Sequence, residues 1–389
     1  MAADLSAQMI SSVKDAYASG QSLVISGQGS KGAWLPDPEM SAGGTLDVTG
    51  HSGIQAYQPE ELVITARAGT SLEEINAVLA AEGQMLACDP PRFQPTQADG
   101  VVGDNASGTL GGVVATGLSG PGRPWSGAVR DAILGVELVN GKGEYLKFGG
   151  QVMKNVAGYD VSRLQAGAWG NLGVLASISI RVHPTWQDQC TLIFQLSAEQ
   201  AQQKCLLLAQ QNLPLQGTCW HDGVLSLRLG GHASGVAGAK LALSGEVIQG
   251  GTDLEFWANL RDHKADFFQQ ELFPQTPGTK KIWRLVVPSA APLPGNWLSA
   301  DDLLIEWGGG LRWLRHDDDA AVVAYAKSVG GWCWAKGEQM PIDVVQARYM
   351  NELKRAFDPK NIFLSPMVLN QSLHSNQQPN LQERQQHAD

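Results

Sequence analysis

Residues Thr109–Trp125 read TLGGVVATGLSGPGRPW, a run of small side chains holding five glycines and two prolines. Such a run is either a set of tight turns or backbone that approaches something closely. The chain as a whole leans the same way, since 45 of its 389 residues are glycine and most of them fall before residue 175. Working outward, Leu5, Met9, Ile10, Val13 and Tyr17 follow helical spacing and predict an amphipathic first helix. Ser22–Ser26 (SLVIS) reads as a short buried strand, followed by a glycine loop, GQGSKG, at Gly27–Gly32. Glu61–Ala68 (ELVITARA) alternates like a half-buried strand. Thr70 is placed to cap the next helix, with Glu73 completing a capping box and Gly83 ending it. Beyond the small-residue run, strands are expected at Ala132–Val139 and Leu172–Val182.

The loop Gly27-Gln28-Gly29-Ser30-Lys31-Gly32 matches G-x-G-x-x-G after a strand, which invites a dinucleotide-binding reading. That reading requires a helix to begin inside the motif. Pro36 and Pro38 follow within six residues of Gly32, so no helix continues there. The loop still offers successive backbone N–H groups as an anion nest, with the Ser30 hydroxyl and the Lys31 cation beside it. Taken alone, a surface turn explains it equally well.

After His183-Pro184 the pattern changes. Strand (Thr191 onward), helix (Ser197–Gln211, capped by Ser197), two strands near Gly217–Arg228, helix (Ala233–Leu243) and strand (Glu246–Ile248) follow in turn. This βαββαβ order is the signature of a ferredoxin-like sheet. Strands at Lys281–Val287 and Leu303–Trp307, with WGGGLRWL at Trp307–Leu314, extend it. A helix over Ile342–Phe357 follows, and the polar, Gln-rich end of the chain reads as a disordered tail.

Composition bounds the function. With 43% hydrophobic and 17% charged residues the chain is globular, and its length suggests about two domains. A net charge of −10 gives no basic footprint for nucleic acid or anionic lipid. No apolar run approaches the roughly 18 residues of a membrane span, and the first residues lack a signal-peptide pattern, so the expectation is a cytoplasmic protein. Cys88, Cys190, Cys205, Cys219 and Cys333 are scattered, with no C-x-x-C spacing that would signal zinc or an iron–sulfur cluster. No metal is expected.

An ordered series of motifs carries more weight than any one of them. Asp89-Pro90-Pro91, the segment Thr109–Trp125, RDAILGVELV at Arg130–Val139, VMKNVAGYDVSRL at Val152–Leu164 and GNLGVLASISIRVHP at Gly170–Pro184 resemble the FAD domain of the vanillyl-alcohol oxidase, or PCMH-type, superfamily. Within it, ELVITARAGT, GLSGPGRPWSGAVRD, GGQVMKNVAGYDVSRL and WGGGLRWL look like the family of FAD-binding E subunits of bacterial glycolate oxidase. The resemblance implies an α+β fold: a two-lobed FAD-binding domain over 1–184, a ferredoxin-like domain over 185–340, a C-terminal helix returning to the cofactor domain over 341–369, and a tail over 370–389. It implies non-covalent FAD, with Ser26, Gly27, Gln28, Gly29, Ser30 and Lys31 on the pyrophosphate and Pro90 and Pro91 beside the isoalloxazine. Gly111, Gly112, Ala115, Thr116, Ser119 and Gly120 would run along the flavin and ribityl chain, and Gly173 and Val174 would face the adenine end. Asp160 reads as a helix cap, and His51 as a surface residue after a strand.

The chain also departs from the pattern. The larger flavin subunits of such enzymes carry an H-x-G-D-G-N-x-H motif in the second domain, and none is present here. No histidine is assigned a role, so the catalytic base is unassigned. Trp169 stands where flavin domains commonly show a glutamate, and the closing N-P-G pattern reads Leu364-Ser365-Pro366. Arg123 is the candidate for a substrate carboxylate, through a bidentate guanidinium fork. Arg130 reads equally as a surface arginine, and Trp125 as core packing or a flavin cover.

The implied function is that of an FAD subunit oxidising glycolate, a 2-hydroxy acid, to glyoxylate within a complex. Its partners would be a second flavin subunit and an iron–sulfur subunit, and any membrane contact would run through them at the inner membrane. Two alternatives stand beside it: a non-catalytic scaffold that keeps the flavin fold, and an independent FAD-dependent D-2-hydroxy-acid dehydrogenase.

Overall fold

A computed structural model of the chain describes residues 3–34, 43–93, 107–150, 159–248, 252–269, 280–338 and 342–365. The first half opens with α1 (Ser6–Ser19), which buries Met9, Val13 and Ala16 at helical spacing. Next come β1 (Leu23–Ser26), β2 (Gly44–Asp47), β3 (Ile54–Gln58), β4 (Val63–Arg67), α2 (Leu72–Ala81) and β5 (Gln84–Leu86). Three short helices follow, α3 (Leu110–Thr116), α4 (Arg123–Ser126) and α5 (Val129–Ala132), then β6 (Ile133–Val139), β7 (Tyr145–Gly149), α6 (Val161–Leu164) and β8 (Val174–Pro184). These strands make two sheets. One is antiparallel in the order β3-β4-β8-β6-β7, with β5 on the far part of β8. The other is a small parallel sheet built on β1 and β2.

β8 is the spine of the first half, buried from Val174 to Ile180. Its hydroxyls are satisfied sideways, Ser179 against Thr65 at 2.8 Å and Ser177 donating to Gln55 at 2.5 Å. That is how a serine-bearing strand sits inside a core. α2 starts one residue later than the spacing predicted. Ser71 is the cap, accepting from the Glu74 N–H, while the Thr70 hydroxyl accepts from the Gly53 N–H and ties the helix start to the preceding turn. His51 corrects the surface reading. It is 2% exposed, accepts from the Leu5 N–H at Nδ1 and contacts the Ala176 carbonyl at Nε2, so it joins three segments. Asp160 caps α6 through the Arg163 N–H, as expected.

The second half contains β9 (Asp188–Gln195), α7 (Ala198–Leu208), β10 (Leu215–His221), β11 (Val224–Gly231), α8 (Ala233–Leu243) and β12 (Glu246–Val247). Ser197 caps α7 in a full capping box with Gln200. Then follow α9 (Thr252–Arg261), α10 (Asp266–Gln269), β13 (Lys281–Val286), β14 (Leu303–Glu306), β15 (Leu311–His316), α11 (Asp319–Ser328) and β16 (Trp332–Ala335). All eight strands form one antiparallel sheet in the order β12-β9-β11-β10-β14-β15-β13-β16. The first four pair as fourth, first, third and second, the ferredoxin-like order that the βαββαβ pattern predicted. The second four repeat it in mirror sequence, so the sheet is two such modules joined edge to edge through β10 and β14.

One sheet face is covered by α7, α8 and α11, whose Leu208, Val236 and Val322 meet Leu227 and Leu285. The other packs on the first half through an aromatic cluster: Trp34, Phe93 and Trp169 against Trp257, Trp307, Trp313 and Trp334. The last elements are α12 (Val344–Phe357) and β17 (Phe363–Leu364), and β17 pairs in parallel with β1. Among the described residues no helix is long and apolar enough to cross a membrane. Pro36, Pro38, Pro366, the tail over 370–389 and the first part of VMKNVAGYDVSRL lie outside the described residues.

Candidate functional site

β1 ends at Ser26 and the chain turns through Gly27–Lys31 into a single 3-10 turn, Gly32–Trp34, so no α-helix begins inside the loop as a dinucleotide motif would need. The turn forms one wall of a cleft that opens to solvent. Ser26, Gly27, Gln28, Gly29, Ser30 and Lys31 all line it, and so do Gly111, Gly112, Ala115 and Thr116 of α3 and Gly173. Trp169, Gln165 and Leu364 close it, so the altered C-terminal pattern still reaches the cleft. Val174 sends its side chain into the core beside Val13 and Phe363. Pro90 lines a second cavity of about 780 Å³, walled also by Arg92, Arg228 and Arg261. Pro91, Ser119 and Gly120 are buried off the first cleft, and Gly120 is held by the Asp89 carbonyl at 2.6 Å.

The cleft fits an extended phosphate-bearing cofactor on its own evidence. Among the described residues Lys31 is the one charged side chain in its lining; it is 8% exposed, and its ammonium hydrogen-bonds only the Ser30 hydroxyl there, at 3.1 Å. Burial pulls Lys31 down to about 8, the charge of Asp262 working against the shift. Gln28 Oε1 and Gln165 Nε2 are buried without a partner. A Cβ placed on Gly112 would come 3.3 Å from Thr109 Oγ1 and 3.8 Å from Lys31 Nζ, over the same floor. A Cβ on Gly111 would instead strike Ala68 at 2.9 Å, so that glycine answers to the packing of α3 on the strand beneath.

A second group of charges sits where the eight-stranded sheet meets the first half. Trp307 donates from Nε1 to the Gly120 carbonyl at 2.9 Å and holds a left-handed backbone, φ +54°. The guanidinium of Arg123 lies 4.7 Å from its ring centre and that of Arg284, on β13, 5.2 Å. Neither has a hydrogen-bonding or ion-pair partner among the described residues. Burial, then the charge of Arg123, brings Arg284 down to about 10. Glu306, 3% exposed at the end of β14, accepts from Trp313 Nε1 at 2.7 Å through one oxygen, while its other oxygen has no partner. Burial pushes its carboxyl up to about 8 against the pull of that hydrogen bond and of Arg284. The neighbouring arginines differ: Arg228 faces Asp89 at 3.5 Å, and Arg261 is clasped by Asp262 at 2.7 Å.

Glu306 and Arg284 were not singled out in the sequence. A signal existed for the first. Laid over residues 306–313, EWGGGLRW, the H-x-G-D-G-N-x-H frame keeps glycine at Gly308 and Gly310 and sets Glu306 and Trp313 on the two histidine positions. Arg130 is exposed, and Trp125 packs toward the helix-covered core of the sheet. His263, which has no assigned role, is stacked on Phe268 at 4.1 Å and held neutral by burial. No group of three or more His, Cys, Asp or Glu among the described residues could hold a metal ion.

A glycine-loop cleft against a ferredoxin-like double sheet defines a PCMH-type FAD-binding flavoprotein, and a family model described as an FAD binding domain matches residues 2–149. The glycolate oxidase subunit GlcE of Escherichia coli (strain K12) is 41% identical over 368 residues, 92% of this chain and 96% of that protein. The chain belongs to the GlcE family, and its cofactor is FAD. The glycolate oxidase subunit GlcD of Bacillus subtilis (strain 168) is 26% identical over 36% of this chain and 27% of its own length. A D-lactate dehydrogenase of Archaeoglobus fulgidus is 30% identical over 28% of this chain and 24% of its own length. Among solved structures, an alkyldihydroxyacetonephosphate synthase shares the fold, with a TM-score of 0.64 at 15% identity over 92% of this chain and 74% of that one.

Proposed function

We propose that the chain is the FAD-bearing subunit of a complex that oxidises glycolate, a 2-hydroxy acid, to glyoxylate. The observation that carries this reading is the cleft of Ser26–Lys31 and Gly112, joined to a family membership that spans nearly the whole chain. Bound FAD supplies a two-electron acceptor for a C–H bond beside a hydroxyl. The turn at Gly27–Lys31 would hold its pyrophosphate through backbone amides and the Lys31 ammonium, and the Gln28 and Gln165 side chains would take its polar atoms. Gly112 leaves room for the cofactor chain, and Trp169 and Leu364 exclude water from it. The FAD part spans 1–184, the double sheet 185–340 and the returning segment 341–369.

The partners are a second flavin subunit, of the kind named GlcD among the relatives, and an iron–sulfur subunit. The latter is called for because the five cysteines of this chain have no cluster spacing. The complex is placed in the cytoplasm, reaching the inner membrane through those partners. A scaffold that had lost FAD would have no need for an uncluttered cleft floor with a buried cation in it. Co-purification of the tagged chain with untagged neighbours tests the assignment. Two flavoproteins and one brown iron–sulfur protein, jointly reduced by glycolate, are expected. Isolation of this chain alone, with no subunit of either kind, contradicts it.

A further inference from the structure

We propose that Glu306, Arg284 and Arg123, gathered around Trp307 and Trp313, hold and deprotonate a 2-hydroxy acid, so that the flavin of this chain meets substrate itself and does not only relay electrons. The proposal rests on the reading of the chain as an FAD-dependent 2-hydroxy-acid oxidoreductase.

Two guanidiniums over one tryptophan ring, with no hydrogen-bonded or ion-paired carboxylate among the described residues and only the buried Glu306 carboxyl facing Arg284, are a poor arrangement for stability and a good one for a carboxylate. The contrast with Arg228 and Arg261, both matched to aspartates close by, separates unpaired cations from ordinary interior ion pairs. Arg123 is exposed and Arg284 partly buried, so the seat runs from solvent inward. Glu306 lies at its inner side, with one oxygen fixed by Trp313 and the other buried and unpartnered. A buried polar atom without a partner in a native fold calls for an explanation, and a bound ligand beside two cations supplies one. Trp307 holds the seat against the cofactor half through Gly120, and its left-handed backbone is the kind of strain that persists at functional positions.

The chemistry follows from the charges. The substrate carboxylate bridges Arg284 and Arg123. The hydroxyl O–H bond breaks with its proton going to the ionised Glu306 carboxylate. The C2–H bond breaks with its electron pair leaving as hydride, which bound FAD would accept, and C2–O becomes a carbonyl. The acid is oxidised by two electrons, and bound FAD would be the group that takes them. Groups facing Glu306 are Arg284 from β13, Arg228 from β11, Cys219 from β10, Trp313 from β15 and Asp89 from the cofactor half. With its carboxyl pushed up to about 8, the base form gains population as pH rises through that value.

The test uses the full-length chain with oxalate as an inert carboxylate probe and glycolate as reductant. Oxalate should raise the melting temperature of the wild-type protein and perturb its flavin spectrum. In Arg284→Met its dissociation constant should rise about tenfold or more, the value of one lost charge-assisted contact. Glu306→Gln should bind oxalate as wild type does, yet slow anaerobic flavin bleaching by glycolate about 10²- to 10⁴-fold, the range for a lost general base. The rise of the bleaching rate through pH 8 should vanish with it. If Glu306→Gln does not fold, Glu306→Asp keeps the acid but withdraws it, and bleaching should slow with oxalate affinity retained. Oxalate that binds Arg284→Met as tightly as wild type, or either Glu306 variant bleaching at the wild-type rate, overturns the proposal. So does an FAD-loaded wild-type chain that neither bleaches nor responds to oxalate. The oxalate melt needs no flavin, so a chain that responds to oxalate but carries no FAD would sink the cofactor reading and leave this seat standing.

Discussion

Lys31 is a buried cation on a cleft wall with no carboxylate among the described residues, and its one task is the cofactor phosphates. A hydrogen bond to a charged group contributes about 1.5–3 kcal/mol. Lys31→Met should therefore weaken FAD binding about 10- to 100-fold while leaving the protein folded. The sign of the pH effect follows from the depressed lysine. In the FAD-free protein the cation is present below about pH 8 and lost above it, so affinity should fall from pH 7 to pH 9 in the wild type and stay flatter in the variant. Fluorescence titration of apoprotein with FAD measures both. Equal affinity in the two proteins would show that backbone amides alone hold the phosphates. Lys31 was legible because it sits inside a local motif. Arg284 and Glu306 were not, because each lies outside any local motif, Glu306 closing an apolar strand and Arg284 sharing its strand with Lys281, and only the pairing of β13, β14 and β15 brings them together.

At the scale of elements, α3 separates two glycines that the sequence treats alike. Gly112 faces the cleft and Gly111 faces Ala68. Gly112→Leu should give a soluble protein with near-native melting but little flavin, because the side chain enters cofactor space. Gly111→Leu should lower stability by roughly 1–3 kcal/mol or more, because the clash is with strand backbone that cannot move aside. Flavin-to-protein ratio and urea unfolding separate the two. A full flavin complement in Gly112→Leu would make that glycine a turn residue only. The first ferredoxin-like module was readable because strand and helix alternate in its sequence. The second was read as added strands because no α-helix is described between β13 and β14, where its partner module has α7. The start of α2 was missed by one residue because Thr70 and Ser71 are both good caps, and the Thr70 hydroxyl is engaged by Gly53.

Across the whole molecule, the two halves are joined by aromatic packing, by Trp307 on Gly120, and by the chain's return from α12 to β1. The return is fastened by Lys354 and Asp358. Their ammonium and carboxylate meet at 2.8 Å in the interior, Lys354 also reaches the Phe363 carbonyl, and Asp358 accepts from the Ile362 and Phe363 N–H groups. Lys354→Met leaves a buried carboxylate without its cation and should cost about 3–5 kcal/mol of unfolding free energy. A urea midpoint within experimental error of wild type would contradict that role. This return could not be derived from residue patterns, since Phe363–Leu364 is too short a strand to be recognised without its partner; it came only with the family resemblance. The glycine motifs, by contrast, mark the cofactor half in the sequence itself, because steric demand on backbone is written locally.

The central claim is that one FAD sits, without a covalent bond, in the cleft between β1 and α3. Acid precipitation of the purified chain, with chromatographic identification of the released flavin, tests it most directly. The account predicts one FAD per chain, all of it in the supernatant. Colour retained in the pellet, FMN in place of FAD, or no flavin from a folded chain would contradict it.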